Sequence, residues 1–260
     1  MPSSPAAVEP SAPPDAGPEP ELSLVVPVYN EEENLEPLVR EIAAALEPAG
    51  QTYELLLVDD GSNDGGPAAM AALRQADPRI RVIRLSKNSG QSAALDAGFR
   101  FARGRIVVTL DADLQNDPKD IPRMLAELSR ADVVCGIRAN RRDTWTRRVS
   151  SKIANGVRNR LTHEQVTDVG CTLRVCRREL LYDLPMFTGL HRFLPTLLKM
   201  QGGRVVEIPV NHRPRLHGIA KYGIGNRLWR ALADLFAVRW MQKRWIDRRQ
   251  AEEIFAGERS

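Results

Sequence analysis

The chain has 260 residues, of which 43% are hydrophobic and 27% are charged, and its formal net charge is +4. This composition is typical of a soluble globular protein with one large core. No uncharged apolar run approaches the roughly 18 residues of a membrane-spanning helix, so none is expected. Cys135, Cys171 and Cys176 are an odd number without zinc-ligand spacing. They favour a reducing cytoplasm over a disulfide framework or a structural metal site.

The positive charge is concentrated in the second half of the chain. The segment Arg138–Arg160 is rich in arginine and carries one acidic residue, Asp143, and the segment Arg227–Arg249 has the same bias. The first hundred residues are acidic or balanced. This asymmetry predicts an anionic partner for the second half: nucleic acid, a phosphorylated substrate or a membrane surface.

Residues 1–20 are rich in Pro, Ala, Ser and Glu and have no apolar stretch. A disordered leader without a secretory signal is therefore expected there. The apolar run Leu22–Val28 predicts a buried strand. Asn30 is the predicted N-cap of the helix that follows, because Glu31 to Glu33 place negative charge in its first turn.

Strands and helices then alternate up to Gly136. The predicted strands are Tyr53–Val58, Ile80–Leu85, Arg105–Leu110 and Val133–Gly136, and the predicted helices are Ala68–Gln75, Gln91–Phe101 and Pro118–Leu128. Later elements are strands at Cys171–Cys176 and Arg204–Val210, a helix around Phe193–Met200 and a helical stretch from Gly225 to Trp245. The alternation predicts a mostly parallel sheet with helices on both faces, whose ligands bind beyond the carboxyl ends of the strands.

Polar segments follow three of these strands: Tyr29-Asn30-Glu31, Asp59-Asp60-Gly61-Ser62 and Asp111-Ala112-Asp113. Two carboxylates at the end of one extended segment repel each other unless a cation lies between them. A divalent ion bound to phosphate oxygens would satisfy them, and Gln115 adds a neutral oxygen. The alternative is a solvated turn that caps the helix beginning at Pro118. Asp60 could accept hydrogen bonds from a base or ribose, or belong to an ordinary Asp/Gly turn.

In this order and spacing, and together with Asn88-Ser89-Gly90-Gln91 and Gln115-Asn116-Asp117-Pro118, these segments resemble the GT-A-fold glycosyltransferases of family 2. The resemblance extends from about Leu22 to Tyr222. It is to the branch that contains dolichol-phosphate mannose synthase and the undecaprenyl-phosphate sugar transferases. It implies an α/β, Rossmann-like GT-A fold over residues 21–222, followed by an amphipathic helix and basic tail over 223–260.

The resemblance also implies roles for individual residues. The residues that match the family's nucleotide-binding positions are Pro27, Tyr29, Glu31, Val58 and Asp60. Those that match its diphosphate- and metal-binding positions are Asp111, Ala112, Asp113 and Gln115, with Asp113 and Gln115 as ligands of Mg²⁺ or Mn²⁺.

Counterparts in the second half concern the acceptor and the donor loop. Gly136-Ile137-Arg138 resembles a Gly-x-Arg whose arginine reaches the acceptor phosphate, and Trp145–Lys152 resembles an interfacial helix. Arg147 there is the second phosphate partner, or Arg148 if the register shifts by one. The segment from Arg215 to Tyr222 resembles the Arg-x-x-Gly-x-Ser-Lys loop that closes over the donor.

Ala220 replaces the serine of that loop, so one hydroxyl contact is lost, while Arg215 and Lys221 remain. Asp168 lies in a looser match, Val166–Cys171, to a segment near the active site. A solvated basic face is the alternative explanation of the arginines.

The expected function is inverting transfer of a sugar from GDP-mannose or a UDP-hexose to a polyprenyl phosphate. A phosphate monoester is already ionised near neutral pH and needs no general base. One alternative is a family 2 enzyme acting on a hydroxyl acceptor, with Asp168 as the candidate base. A nucleic-acid-binding protein is disfavoured, because no nucleic-acid-binding motif is present and aromatic residues make up only 5%. His163, His191, His212 and His217 lack ligand spacing and are expected to be structural or at the surface.

The stretch from Gly225 to Trp245 predicts attachment to the cytoplasmic face of the membrane. One helical face carries large apolar side chains: Leu228, Trp229, Leu232, Leu235, Phe236 and Trp240. Cations flank this face, which suits a helix lying in the bilayer interface. The alternative is that the face packs on the protein's own core or on a second subunit.

Overall fold

The computed structural model describes residues 19–139, 156, 159–160, 166–214 and 227–246. Within 227–246, side chains are described for residues 232–246. These residues form a sheet of seven strands: β1 (Leu22–Val28), β2 (Tyr53–Asp59), β3 (Ile80–Arg84), β4 (Ile106–Thr109), β5 (Val133–Arg138), β6 (Arg174–Arg177) and β7 (Val205–Val210). The strand order is β3-β2-β1-β4-β6-β5-β7. Only β6 runs antiparallel to its neighbours, β4 and β5. The predicted mostly parallel sheet is confirmed.

Helices cover both faces of the sheet. They are α1 (Glu32–Leu46), α2 (Gly66–Ala76), α3 (Gln91–Phe101), α4 (Ile121–Ala126), α5 (Leu194–Met200) and α6 (Arg227–Lys243). One core cluster joins the sheet to α1, α2 and α4, and a second joins it to α3, α5 and α6. Neighbouring residues of β1 divide between them: Leu24 and Val26 belong to the first cluster and Val25 to the second. Burial on both faces explains why the strand sequences are continuously apolar.

The predicted helix Pro118–Leu128 is interrupted. Pro118–Asp120 and Glu127–Ser129 are 3₁₀ turns on either side of α4. Pro122 has no N–H to close an α-helical bond to the carbonyl of Pro118, and Ile121 N–H bonds that carbonyl instead. The first turn is therefore tighter than an α-helix.

The predicted N-cap at Asn30 is wrong. Asn30 has a φ of 53°, in the left-handed region, and α1 begins only at Glu32. The side-chain oxygen of Asn30 accepts a hydrogen bond from Asn63 N at 2.8 Å, and its own N–H donates to Ser62 Oγ at 3.0 Å. Asn30 thus links the loops that follow β1 and β2 instead of capping α1.

A buried carboxylate, Glu54, stabilises the edge of the sheet where the parallel strands begin. Glu54 is 2% exposed and accepts hydrogen bonds from Ser23 Oγ at 2.6 Å, Arg103 N at 2.7 Å and Arg81 Nη1 at 2.6 Å. Burial raises the pKa of Glu54, but these hydrogen bonds outweigh it and hold the pKa below the usual value. The ionised carboxylate therefore contributes to stability.

The C-terminal helix α6 is divided between core and solvent. Leu235 and Val238 are buried in the second core cluster, whereas Phe236 and Trp240 are 62% and 63% exposed. Packing on the protein's own core thus accounts for part of the apolar face predicted from the sequence. Among the described residues, no helix combines the length and the apolar character needed to cross a bilayer.

Candidate active site

The carboxyl ends of β1, β2, β4 and β5 meet at one edge of the sheet. Because β6 runs the other way, the segment that precedes it, residues 166–173, lies at this edge as well. Helix α3 also begins at this edge, directly after Gly90, whose φ is 91°. The edge therefore gathers strand ends, a helix N-terminus and the loop before β6, the usual place for a ligand in an open α/β sheet.

Asp60 is held between β1 and the start of α3. Its N–H donates to Val28 O at 2.8 Å, and its carboxylate accepts hydrogen bonds from Ser89 N at 2.7 Å and Gly90 N at 2.9 Å. Asp60 is 4% exposed, and burial raises its pKa although the backbone N–H groups act in the opposite direction. Gly61 (φ 73°) lets the loop after β2 pass close to the backbone of Asn88, because a Cβ at Gly61 would lie 2.6 Å from Asn88 N.

The other candidate nucleotide-binding residues lie around Asp60. Pro27 is paired in register with Val58 on the neighbouring strand. Val58 is fully buried in the second core cluster, so only its backbone can face a ligand. Tyr29 and Glu31 are partly exposed, and Glu31 accepts a hydrogen bond from Asn34 Nδ2 at 2.6 Å. The structure thus brings all five candidates to adjacent strand ends.

The acidic motif forms a turn, whereas an extended segment was expected. β4 ends at Thr109, Ala112 and Asp113 lie in a turn, and Leu114 has a φ of 60°. Ala112 and Leu114 are buried in the first core cluster and anchor the loop. Asp113 is 6% exposed, and Asp111 Oδ1 accepts a hydrogen bond from Gln91 Nε2 at 2.7 Å. Burial of Ala112 and Leu114 thus fixes the backbone that carries the two acidic residues.

Capping of the following turn is carried out by Asp117. Its carboxylate accepts hydrogen bonds from Lys119 N at 3.1 Å and Asn211 Nδ2 at 3.0 Å. Asp113 accepts a hydrogen bond from Gln115 N at 3.1 Å. The residue at the N-cap of the turn that begins at Pro118 is therefore Asp117.

Gln115 is tied to the chain that follows β7. Its Nε2 donates to Arg213 O at 3.2 Å, and Arg213 N donates to Gln115 O at 2.9 Å. The guanidinium of Arg213 pairs with Glu41, which raises the pKa of Arg213. Gln115 is thus bound to Arg213 through both its side chain and its backbone.

The donor set suits a hard divalent cation shared with a phosphate group. Asp111, Asp113 and Gln115 offer carboxylate and amide oxygens within five residues of chain. In the described part of the chain, no group of three His, Cys, Asp or Glu side chains forms a complete metal cage. Mg²⁺ typically binds one or two protein carboxylates and takes its other ligands from water and substrate phosphates. The residues present fit that mode.

Arg138 ends β5 at the same edge and pairs with Asp168. Its Nε and Nη2 each donate to the Asp168 carboxylate at 2.8 Å. Arg138, which the sequence predicts to reach an acceptor phosphate, thus has a carboxylate bound to its guanidinium. Arg147, Arg215 and Lys221, as well as the segment Trp145–Lys152, lie outside the described residues.

Two further residues at this edge were not expected from the sequence. His191 is partly buried, with its Nδ1 3.0 Å from Ser92 Oγ, and it lines the same narrow space as Asp111 and Arg174. Thr172 connects two strand ends: its carbonyl accepts from Thr109 Oγ1 at 2.7 Å, and its hydroxyl accepts from Asn116 Nδ2 at 2.9 Å. These contacts join residues 56 to 99 positions apart, which local sequence patterns do not reveal.

The sheet order, the strand-end carboxylates and the acidic turn together define a GT-A-type glycosyltransferase fold. The chain belongs to glycosyl transferase family 2, whose family model matches residues 23–184. It is 40% identical over 232 residues to dodecaprenyl-phosphate galacturonate synthase of Rhizobium johnstonii, covering 86% of this chain and 68% of that protein. It is 42% identical over 223 residues to undecaprenyl-phosphate 4-deoxy-4-formamido-L-arabinose transferase of Salmonella paratyphi A, covering 85% and 68%.

Solved structures share the fold at lower identity. A mannosyltransferase from Pyrobaculum calidifontis in complex with GDP-Man and Mn²⁺ superposes with a TM-score of 0.60 at 23% identity, covering 93% of this chain and 69% of that one. Glucosyl-3-phosphoglycerate synthase from Mycobacterium tuberculosis, in complex with Mn²⁺, UDP-glucose and phosphoglyceric acid, superposes with a TM-score of 0.61 at 19% identity, covering 86% and 79%.

Proposed function

We propose that this protein transfers a sugar from a nucleotide-diphosphate sugar to a polyprenyl phosphate. The two relatives named above, at 40% and 42% identity, are each named for a polyprenyl phosphate. The observation that carries the proposal is a site with acidic and basic groups at one sheet edge: Asp111 and Asp113 after β4, and Arg138 at the end of β5. An acidic turn suits the diphosphate-bound metal of a donor, and an arginine suits the phosphate of an acceptor.

The donor half of the site is built on β1, β2 and β4. Asp60, with Pro27, Tyr29, Glu31 and the backbone of Val58, binds the nucleoside. Asp113 and Gln115 would hold Mg²⁺ or Mn²⁺, and Asp111 and Ala112 would lie beside the diphosphate. A divalent ion bound there would supply positive charge to the departing diphosphate. Two solved structures with this fold contain Mn²⁺ together with a nucleotide sugar.

In the acceptor half, the nucleophile carries its own charge. A phosphate monoester has a second pKa of about 6, so its oxygen attacks the anomeric carbon without a general base. The bond to the nucleotide's β-phosphate oxygen breaks and leaves its electron pair on that oxygen. A single displacement of this kind inverts the anomeric centre. Arg138, with Arg147, Arg215 and Lys221, offsets the repulsion between two phosphorylated substrates.

The protein acts at the inner face of the cytoplasmic membrane, where its lipid acceptor is embedded. The exposed aromatic residues Phe236 and Trp240 on α6 support this location, since aromatic side chains favour the headgroup region. Arg239, Lys243 and Arg244 lie on the same helix or directly after it and would attract anionic lipid.

The proposal is tested with a matrix of radiolabelled nucleotide sugars against polyprenyl phosphate. The purified chain is incubated with each donor, and label that enters organic solvent is counted. Transfer from one donor to the lipid phosphate is expected. Absence of transfer from every GDP- and UDP-sugar, with a related enzyme active in the same assay, would contradict the proposal.

A further inference from the structure

Arg138 and Asp168 form a bidentate ion pair at the acceptor side of the site. Arg138 Nε and Nη2 donate to the two carboxylate oxygens at 2.8 Å each, and Arg138 N donates to Oδ2 at 3.1 Å. The side chains are 18% and 5% exposed, respectively. This fork-to-fork geometry fixes the plane of the guanidinium as well as its position.

The loop that carries Asp168 is itself held rigidly against the sheet. Thr167 N donates to Glu207 Oε2 at 2.9 Å, and Glu207 lies on β7, next to β5. Gly170 N donates back to Asp168 Oδ1 at 3.1 Å. A Cβ at Gly170 would lie 2.4 Å from Arg138 Nη2, so the backbone passes over the guanidinium with no room for a side chain. The loop is therefore closely fitted to the arginine.

The same loop reaches the acidic turn. Thr172, four residues after Asp168, receives hydrogen bonds from Thr109 Oγ1 at 2.7 Å and from Asn116 Nδ2 at 2.9 Å. Thr109 and Asn116 flank the acidic motif on either side. Residues 168 to 172 therefore connect the arginine at the end of β5 to the acidic turn and set the spacing between them.

We propose that Asp168 is a positioning residue that orients the Arg138 guanidinium for the acceptor phosphate, and that it is not a general base. The inference rests on the proposed function. An arginine whose guanidinium is already held in a bidentate ion pair loses little further side-chain freedom when it binds a phosphate. Both Asp168 oxygens face the guanidinium or the N–H groups around it, and the phosphate nucleophile has no proton that a base must remove.

The test compares three variants of the full chain. Asp168→Asn removes the charge, and Gly170→Ala displaces the guanidinium without changing any polar group. Asp132→Asn is the matched control, because Asp132 pairs with Arg177 Nε at 3.1 Å at the other end of β5. KM and kcat are measured for polyprenyl phosphate at saturating nucleotide sugar, and KM for the nucleotide sugar at saturating acceptor.

We expect Asp168→Asn and Gly170→Ala each to raise the acceptor KM by about tenfold or more, while the donor KM changes by less than about twofold. The control should leave both unchanged. In an Arg138→Ala background, Asp168→Asn should have no further effect on acceptor KM, because Asp168 acts through Arg138. Gly170→Ala keeps the test valid if Asp168→Asn lowers the Tm too far for assay.

Two outcomes would overturn the inference. In the first, Asp168→Asn lowers kcat at saturating acceptor without changing KM, and lowers it again in the Arg138→Ala background, as a general base would. In the second, the wild type transfers sugar to polyprenyl phosphate but both variants keep the wild-type acceptor KM. A wild type that transfers nothing to polyprenyl phosphate contradicts the proposed function instead, so the two failures are distinguishable.

Discussion

Replacing Arg213 with methionine should weaken metal binding although neither proposed metal ligand, Asp113 or Gln115, is substituted. Arg213 Nη1 donates to Glu41 Oε1 at 3.0 Å, and Nη2 donates to Asn116 O at 2.9 Å. Its backbone exchanges two hydrogen bonds with Gln115, at 2.9 and 3.2 Å. Methionine keeps the length of the side chain but makes neither guanidinium contact. Gln115 would then be attached to a segment that is no longer fixed to α1.

The expected loss of stability is small. The side chains of Arg213 and Glu41 are 31% and 36% exposed, so solvent screens the ion pair and it contributes about 1 kcal/mol. The hydrogen bond to Asn116 O contributes about 1 kcal/mol more. The free energy of unfolding should therefore fall by about 2 kcal/mol, which corresponds to a decrease of about 4–8 °C in Tm for a chain of this size.

The loss of metal affinity should be larger than stability alone explains. Residues that orient metal ligands typically contribute about 10–100-fold to affinity, so the apparent Kd for Mn²⁺ should rise by about tenfold in Arg213→Met. The Kd is measured by calorimetric titration at saturating nucleoside diphosphate. Arg123→Met is the control, because Arg123 donates to Asp120 Oδ1 at 2.7 Å and bonds Pro209 O rather than Gln115. An unchanged Mn²⁺ affinity in folded Arg213→Met would refute the reasoning.

Three further predictions concern the metal, the pH dependence of stability and the membrane. Asp113→Asn should abolish Mn²⁺ binding measured by calorimetry and lower turnover by about 100-fold or more, while the circular dichroism spectrum is retained. Chelating the metal from the wild type should lower turnover to the same extent. Full turnover in excess EDTA would exclude a metal from the reaction. Because the folded state lowers the pKa of Glu54 from 4.5, its stabilisation is complete above pH 4.5 and is lost as the pH falls through the lowered pKa. Urea unfolding should therefore show Glu54→Gln to be less stable than wild type at pH 7, with the difference shrinking at acidic pH; an equal difference at pH 7 and pH 3 would contradict this origin. The double variant Phe236→Ser/Trp240→Ser should cosediment less with anionic vesicles than the wild type does. Phe101 is an exposed aromatic residue outside α6, so the control variant Phe101→Ser should bind the vesicles as the wild type does. Equal binding by the wild type and both variants would place the membrane contact outside α6.

Much of the fold follows from local sequence patterns. The run Leu22–Val28 and the helix Gln91–Phe101 were predicted with the boundaries that the structure has. Two of the errors lie where a single residue type competes with the pattern. Pro122 removes one hydrogen bond and shortens a helix whose apolar spacing is otherwise helical. Asn30 adopts the left-handed conformation and bonds the next loop, a tertiary contact that outweighs its capping preference.

The candidate site is less completely predictable than the fold. The acidic motif and Asp60 follow apolar runs directly, so their place at the strand ends could be inferred from sequence alone. The direction of β6 could not, because its four residues, Arg-Val-Cys-Arg, carry no signal of which way the strand runs. That direction brings Asp168 to Arg138 across 30 residues of chain. Partners so far apart, like His191 and Ser92, leave no periodic signal in the sequence.

Competition between two lipids in one reaction tests the central claim most directly. The purified chain receives its active nucleotide sugar with equal amounts of a polyprenyl phosphate and the corresponding polyprenol, and mass spectrometry identifies which lipid gains a sugar. We expect only the phosphorylated lipid to be glycosylated, with release of a nucleoside diphosphate, since the phosphate is the proposed nucleophile and the group that Arg138 is proposed to bind. Equal glycosylation of the polyprenol would contradict it and would require a general base at the site.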